Sequence, residues 1–322
     1  MRRRLVLFVL LSSAAGLAQL AACSAPAPDA DRLPVSTAKD SGGSDFDSPD
    51  QPPVDGGGNP DTFVPGGPGR VYAHTPDTLY LYEPVANTLT MVGKFSCINP
   101  ASDSRDVITD IAVDRTGLMF GATFDYVVSI DPITAKCTKL AIAGALAPPN
   151  GLSFVPAGTV DPGKEALVGY SAPYMVDNAV NYVRIDTTSG VIQDPPIGNM
   201  NAAATGAQYR CSGDIISIIQ DSNRSYATVK LVTDAGPTGT DLLAEVDPSD
   251  GHVKRIIGDT KSNNIYGLGY WAGKGYGFNG QGQILEIDMS TGNGVVVKTL
   301  TDDGGAPVAW YGAGVTTQAP IH

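Results

Sequence analysis

The chain has 322 residues, 33 of them acidic and 21 basic, and carries a net charge of −12 at neutral pH. Nothing in it forms a basic stripe able to meet phosphates, which excludes nucleic acid as a partner. Three histidines and four cysteines also leave imidazole or thiolate metal clusters poorly supplied.

Residues 1–22 read as an export signal. Arg2, Arg3 and Arg4 give a positive start, and Leu5 to Leu11 is an apolar run too short to anchor across a bilayer. The run closes on Leu20-Ala21-Ala22-Cys23, which resembles the lipobox of bacterial lipoproteins. That resemblance implies cleavage before Cys23 and a lipid on its sulfur, which would hold the protein at a membrane without a spanning helix. Ser24, following the cysteine, implies by the same resemblance transfer to an outer membrane. The expected address is therefore the cell envelope, at the outer membrane or the cell surface.

Residues 23–68 read as a tether. Ala, Pro, Asp, Ser and Gly dominate, without the apolar periodicity that could offset the entropy of ordering. Its aspartates (Asp29, Asp31, Asp40, Asp45, Asp47, Asp50, Asp55 and Asp61) lack the ligand spacing of an EF-hand. As a flexible chain it would span roughly 35–40 Å.

Residues 69–322 form the folded part, and one phrase repeats through it. Ile130-Asp131-Pro132-Ile133-Thr134 returns as Ile185-Asp186-Thr187-Thr188-Ser189, Val246-Asp247-Pro248-Ser249-Asp250 and Ile287-Asp288-Met289-Ser290-Thr291. A looser copy, Tyr82-Glu83-Pro84-Val85-Ala86, comes first. Each copy ends a β-branched run, turns, and opens another, and the aspartates suit Asx-turns that organise a hairpin. Around them the units read as four strands. The first begins at Thr109-Asp110, Asn150-Gly151, Gly213-Asp214 and Tyr266-Gly267; the second covers 118–123, 165–171, 225–231 and 273–279; the fourth covers 137–143, 190–193, 252–257 and 294–300. Sustained helical periodicity is missing.

The two ends of the repeat region are incomplete and complementary. The N-terminal unit has strands at 70–75, 78–82 and 89–95 but no first strand, and Tyr311 to Val315 supplies a first strand alone. A ring closed by its own termini has this pattern, and closure protects sheet edges. The prediction is an all-β fold: one five-bladed β-propeller of four-stranded blades, as a monomeric domain.

First strands line the axis of such a ring, so Thr109, Asp110, Asn150, Asp214, Tyr266 and Tyr311 are the candidate residues of a channel-mouth binding site. Two carboxylates, an amide and two phenols suit a cation or a small polar ligand. The phrase Pro149-Asn150-Gly151-Leu152-Ser153-Phe154 also resembles a stretch of the gluconolactonase-like propellers. That resemblance implies a divalent ion, of calcium type, in the central channel with Asn150 as a ligand; Asp110 and Asp214 complete the candidate metal set. The competing reading gives Asn150 and Asp110 structural roles at strand starts.

No catalytic nucleophile is assigned. His74, His252 and His322 fall at a strand end, a hairpin turn and the last residue, so none is placed as a shared general base. If a disulfide forms, Cys97 after a fourth strand and Cys211 before a first strand share a face, so Cys97–Cys211 is the expected pair. The functional expectation is a membrane-tethered, non-enzymatic binding module for a protein, glycan or small ligand. The alternative is a metal-dependent, lactonase-like hydrolase with an axial ion.

Overall fold

The computed structural model describes residues 70–140, 146–171, 180–202, 206–233 and 236–322. The expected signal segment, Cys23 and the tether lie outside the described residues. Within these, twenty strands form five four-stranded antiparallel sheets. Blade one takes β1 (Val71–His74), β2 (Thr78–Glu83) and β3 (Thr88–Lys94). Blade two is β4 (Asp110–Val113), β5 (Met119–Ala122), β6 (Val127–Ile130) and β7 (Cys137–Lys139). Blade three is β8 (Leu152–Val155), β9 (Ala166–Ser171), β10 (Asn181–Ile185) and β11 (Gly198–Asn199). Blade four is β12 (Gln208–Ile218), β13 (Arg224–Thr233), β14 (Gly236–Val246) and β15 (Val253–Asp259). Blade five is β16 (Ile265–Trp271), β17 (Lys274–Asn279), β18 (Gln283–Asp288) and β19 (Gly294–Thr299). The last strand, β20 (Gly312–Val315), returns to blade one and pairs with β1, His74 opposite Gly312 and Val71 opposite Val315. Head and tail thus share one sheet, and the inner strands β20, β4, β8, β12 and β16 neighbour one another around a ring. The fold is a five-bladed β-propeller.

The side-chain period of two explains how the ring is held. In β1, Tyr72 joins a core shared with Ile111, Met119 and Val128 of blade two. Its neighbours Val71 and Ala73 point the other way, into a core with Tyr276, Phe278 and Ile284 of blade five. Each of the five main clusters bridges adjacent blades, and the one between blades four and five also takes in Val315 of β20. Strands covered on both faces lose their polar alternation, so β4, β5, β8 and β9 are buried throughout. A buried Leu, Ile or Phe contributes about 1.5–3 kcal/mol, so the seams dominate the stability.

The repeated Asp phrase forms the same turn each time. Asp131 Oδ1 accepts the Ile133 N–H at 2.8 Å, Asp186 Oδ1 those of Thr188 and Ser189, Asp247 Oδ1 that of Ser249, and Asp288 Oδ1 that of Ser290. Four residues on, the N–H of Ala135, Gly190, Gly251 or Gly292 returns to the Asp carbonyl from a left-handed backbone. These turns also dock on the preceding blade. Tyr170 and Tyr182 of blade three donate hydroxyls to Gly251 O and Pro248 O of the blade-four turn, and Gly294 N–H beside the blade-five turn donates to Thr260 O.

That docking corrects the expected disulfide. Cys97 is bonded to Cys137, with Cα atoms 5.3 Å apart, and not to Cys211. The face argument holds for inner strands only. Strand twist swings the outer strand across the seam, so Gly93 at the end of β3 lies against Thr134 O in the blade-two turn, and Cys97 meets Cys137 just beyond it.

Two further differences concern blades three and four. The expected fourth strand at 190–193 makes only the single bridge Ile185–Ile192, and β11 replaces it. Pro195 and Pro196 have no N–H to continue a ladder. In blade four, where the first strand is expected to begin at Gly213, β12 starts earlier, at Gln208, and bulges between Cys211 and Ile215. Beyond β20 the last residues cross the far end of the axis. Thr316 bridges Val113, Ile219 N–H donates to Thr317 O, the Thr317 hydroxyl donates to Glu165, and Ala272 N–H donates to Pro320 O. The tail therefore touches blades two to five at the end opposite the mouth.

Candidate functional site

The five inner strands reach the axis in one register. The positions that meet there are Asp110, Gly151, Asp214, Gly267 and Gly312, each followed by a main-chain N–H that points at a carboxyl group. Ile111 N–H donates to Asp110 Oδ1 at 2.8 Å and Leu152 N–H to Asp110 Oδ2 at 2.6 Å. Ala313 N–H also donates to Asp110. Ile215 N–H donates to Asp214 Oδ1 at 2.7 Å and Leu268 N–H to Asp214 Oδ2 at 3.1 Å. One N–H thus comes from each blade. The two carboxyl groups, from blades two and four, meet across the axis within hydrogen-bonding reach of each other.

The glycines at the other three positions allow close approach, Gly312 of the carboxyl pair and Gly151 and Gly267 of the neighbouring inner strands. A Cβ on Gly312 would collide with Asp110 Oδ1 and with His74 Nε2, and one on Gly151 would stand 2.6 Å from Gly213 O. Both aspartates are fully buried. Burial pushes both carboxyls well above the usual carboxylate range; at Asp214 the charge of Asp110 adds to it, while N–H donors oppose it at both.

His74 lies beside this pair and is itself fully buried. Its Nδ1 is 2.9 Å from Thr75 O, so Nδ1 carries the proton and Nε2 presents a lone pair. Burial lowers its pKa to about 4, which keeps the ring neutral.

The remaining sequence candidates do not converge on the carboxyls. Thr109 donates its hydroxyl to Ala122 O at 3.1 Å. Asn150 is half-buried and pairs its N–H with Tyr170 O, while the N–H that reaches Asp110 belongs to Leu152, two residues on. Tyr266 lies over Gly280, half-buried, and its hydroxyl is raised to about 12 by burial and by Asp241 and Tyr311. Tyr311 packs with Val107, Phe124 and Ala309, and burial raises it to about 12.

These geometries do not fit the divalent ion that the sequence resemblance implies. All four axial carboxyl oxygens already accept hydrogen bonds, and the converging N–H dipoles make the axis an environment for negative charge. Asn150 is not among the partners of either carboxyl. Among the described residues no group of three or more His, Cys, Asp and Glu side chains is arranged to hold a metal.

The sequence reading missed Asp241. It is buried, receives Lys230 Nζ at 2.8 Å and the Ser212 hydroxyl at 2.7 Å, and accepts Ile265 N–H at 2.6 Å from blade five. Burial raises its carboxyl pKa, and Lys230 opposes the rise. An aspartate followed by two leucines in a strand carries no signal of that role.

No known protein family matches the chain. No curated protein matches it either. Among solved structures it is similar to a protein of unknown function from Bacteroides caccae, with a TM-score of 0.35 and 11% identity over 77% of this chain and 98% of that one. It is also similar to the WD40 β-propeller domain of Doa1, with a TM-score of 0.36 and 12% identity over 76% of this chain and 82% of that one.

Proposed function

We propose that the chain is a lipid-tethered cell-envelope protein whose propeller acts as a non-enzymatic binding module. The observation that carries this reading is the full engagement of Asp110 and Asp214 by main-chain donors. Carboxyls used in this way serve as a hub for the ring and are withdrawn from substrate. The histidines support the same reading. His74 is buried against the axis, and His252 is held by Asp250 in a hairpin turn, 2.6 Å from its Oδ1. Among the described hydrogen bonds neither ring meets a Ser, Thr or Cys side chain in the manner of a general base.

The tether and the lipid would present the domain at the membrane surface, with Asn150 and Tyr266 offering an amide and a phenol at the mouth. A protein, glycan or small polar ligand is the class of partner these groups suit. The test is a binding screen of the full chain, carrying Cys23→Ser for solubility, against cell-envelope glycans and proteins. Capture that is lost in Asn150→Ala or Tyr266→Ala, at unchanged melting temperature, supports the module. Calcium-dependent turnover of a lactone contradicts it. Separately, the unaltered chain should incorporate labelled palmitate and sediment with membranes, and Cys23→Ser should do neither.

A further inference from the structure

We propose that the axis holds one proton, donated by Asp214 to Asp110, where the sequence resemblance placed a divalent ion, and that this proton lets five blades close on two carboxyl groups. Two carboxyl oxygens in hydrogen-bond contact need a hydrogen between them, because two bare anions there would have only repulsion. The donor count says which partner carries it. Asp110 receives three main-chain N–H groups, from Ile111, Leu152 and Ala313, and Asp214 receives two, from Ile215 and Leu268. The better-solvated carboxyl is the better anion, so Asp110 is the carboxylate and Asp214 the acid. The longer bond at the site, 3.1 Å from Leu268 N–H to Asp214 Oδ2, suits a hydroxyl oxygen that also donates.

Apart from the buried Arg210, the charged groups on the surrounding elements are paired with one another and not with the two carboxyls. β8, β20 and β5 carry no titratable side chain. β1 brings Tyr72 and neutral His74; β16 brings Tyr266 and Tyr270. β13 brings Arg224 and Tyr226, which pair with Asp221, and Lys230, which pairs with Asp241 of β14. β12 itself carries Tyr209 and Arg210 before its bulge.

Losing the proton to solvent base leaves two carboxylates in contact, and the strain falls on the five donors. The mouth residues Thr109, Asn150, Gly213, Tyr266 and Tyr311 each stand two positions before one of those donors.

The test uses the full chain carrying Cys23→Ser and 13C-labelled aspartate. Infrared spectroscopy at neutral pH should find one protonated aspartate carboxyl, which Asp214→Asn removes. From pH 6.5 upward the melting temperature should fall in the unaltered ring. In Asp214→Asn, which has no proton to lose, it should start lower and stay flat. Added calcium should leave the unaltered melting temperature unchanged. The absence of a protonated aspartate at neutral pH overturns the proposal, and so does a rise in melting temperature on adding calcium. Both of these readings need only the unaltered ring, so they stand even if Asp214→Asn does not fold. They also read the axis without any ligand, so failure of the binding screen does not touch them.

Discussion

The side-chain amide of Asn87 donates to the carbonyl of Val297, 210 residues further along the chain, at 3.1 Å. Lys298 Nζ returns a bond to Asn87 O at 3.0 Å, and the Tyr82 hydroxyl donates to Asn87 Oδ1. The loosest copy of the repeated phrase thus docks on the outer strand of blade five, and the outer wall closes where the inner sheet does. Asn87 also takes a left-handed backbone, φ 50°. Asn87→Ala should lose the seam bond and strain the turn, at about 1–2 kcal/mol in urea unfolding. Asn87→Gly keeps the turn and should cost less.

Gly258 tests the docking of blade four on blade five. A Cβ there would collide with the carbonyl of Thr291, a backbone atom that cannot swing away. Gly258→Ala should cost about 1–3 kcal/mol by overpacking. Gly206, where a Cβ meets nothing within 4 Å, is the control; Gly206→Ala should stay within about 0.5 kcal/mol of the unaltered protein.

The Cys97–Cys137 bond closes a loop with a sequence separation of 40. Non-reducing peptide mapping should recover Cys97 joined to Cys137 and not to Cys211. Replacing both cysteines with alanine should cost at most about 4 kcal/mol by the loop-entropy relation.

His74 governs the acid side of the pH profile. Its folded pKa, about 4, lies below the unfolded value of 6.5. The stability it contributes is present above pH 6.5 and is lost as pH falls towards 4, by at most about 3 kcal/mol. The axial pair has the opposite sign, because its folded pKa is raised. Its stability is full below the unfolded aspartate value and is lost as pH rises through the folded one. Between pH 4 and 6.5 the two slopes oppose each other, and above 6.5 the axial pair acts alone. His74→Gln should therefore turn a flat region between pH 4 and 6.5 into one where stability rises on acidification, read as urea midpoints at half-unit steps.

Much of this architecture is legible in particular residues. Asp131, Asp186, Asp247 and Asp288 mark four hairpins because an Asx-turn needs that side chain at that place. The unmatched strands at 70–75 and 311–315 disclose closure because a ring must end where it began. The register of Asp110, Gly151, Asp214, Gly267 and Gly312 is also visible in the chain. What residue types do not disclose is contact across a ring, since Asp110 and Asp214 belong to blades that are not neighbours. The disulfide was hidden for a related reason, as twist accumulated over four strands sets where Cys97 lands. Asp241 was hidden because its partners Lys230, Ser212 and Ile265 come from separate strands.

Five amides, one from each blade, converge on the axial carboxyls. Hydrogen exchange of Ile111, Leu152, Ile215, Leu268 and Ala313, followed by NMR in the full chain carrying Cys23→Ser, measures the hub directly. The five should fall in one slow class, opening together with the ring, and Asp110→Asn should speed all of them by a common factor. Five unrelated rates, with Asp110→Asn releasing only Ile111, Leu152 and Ala313, would contradict a single axial hub.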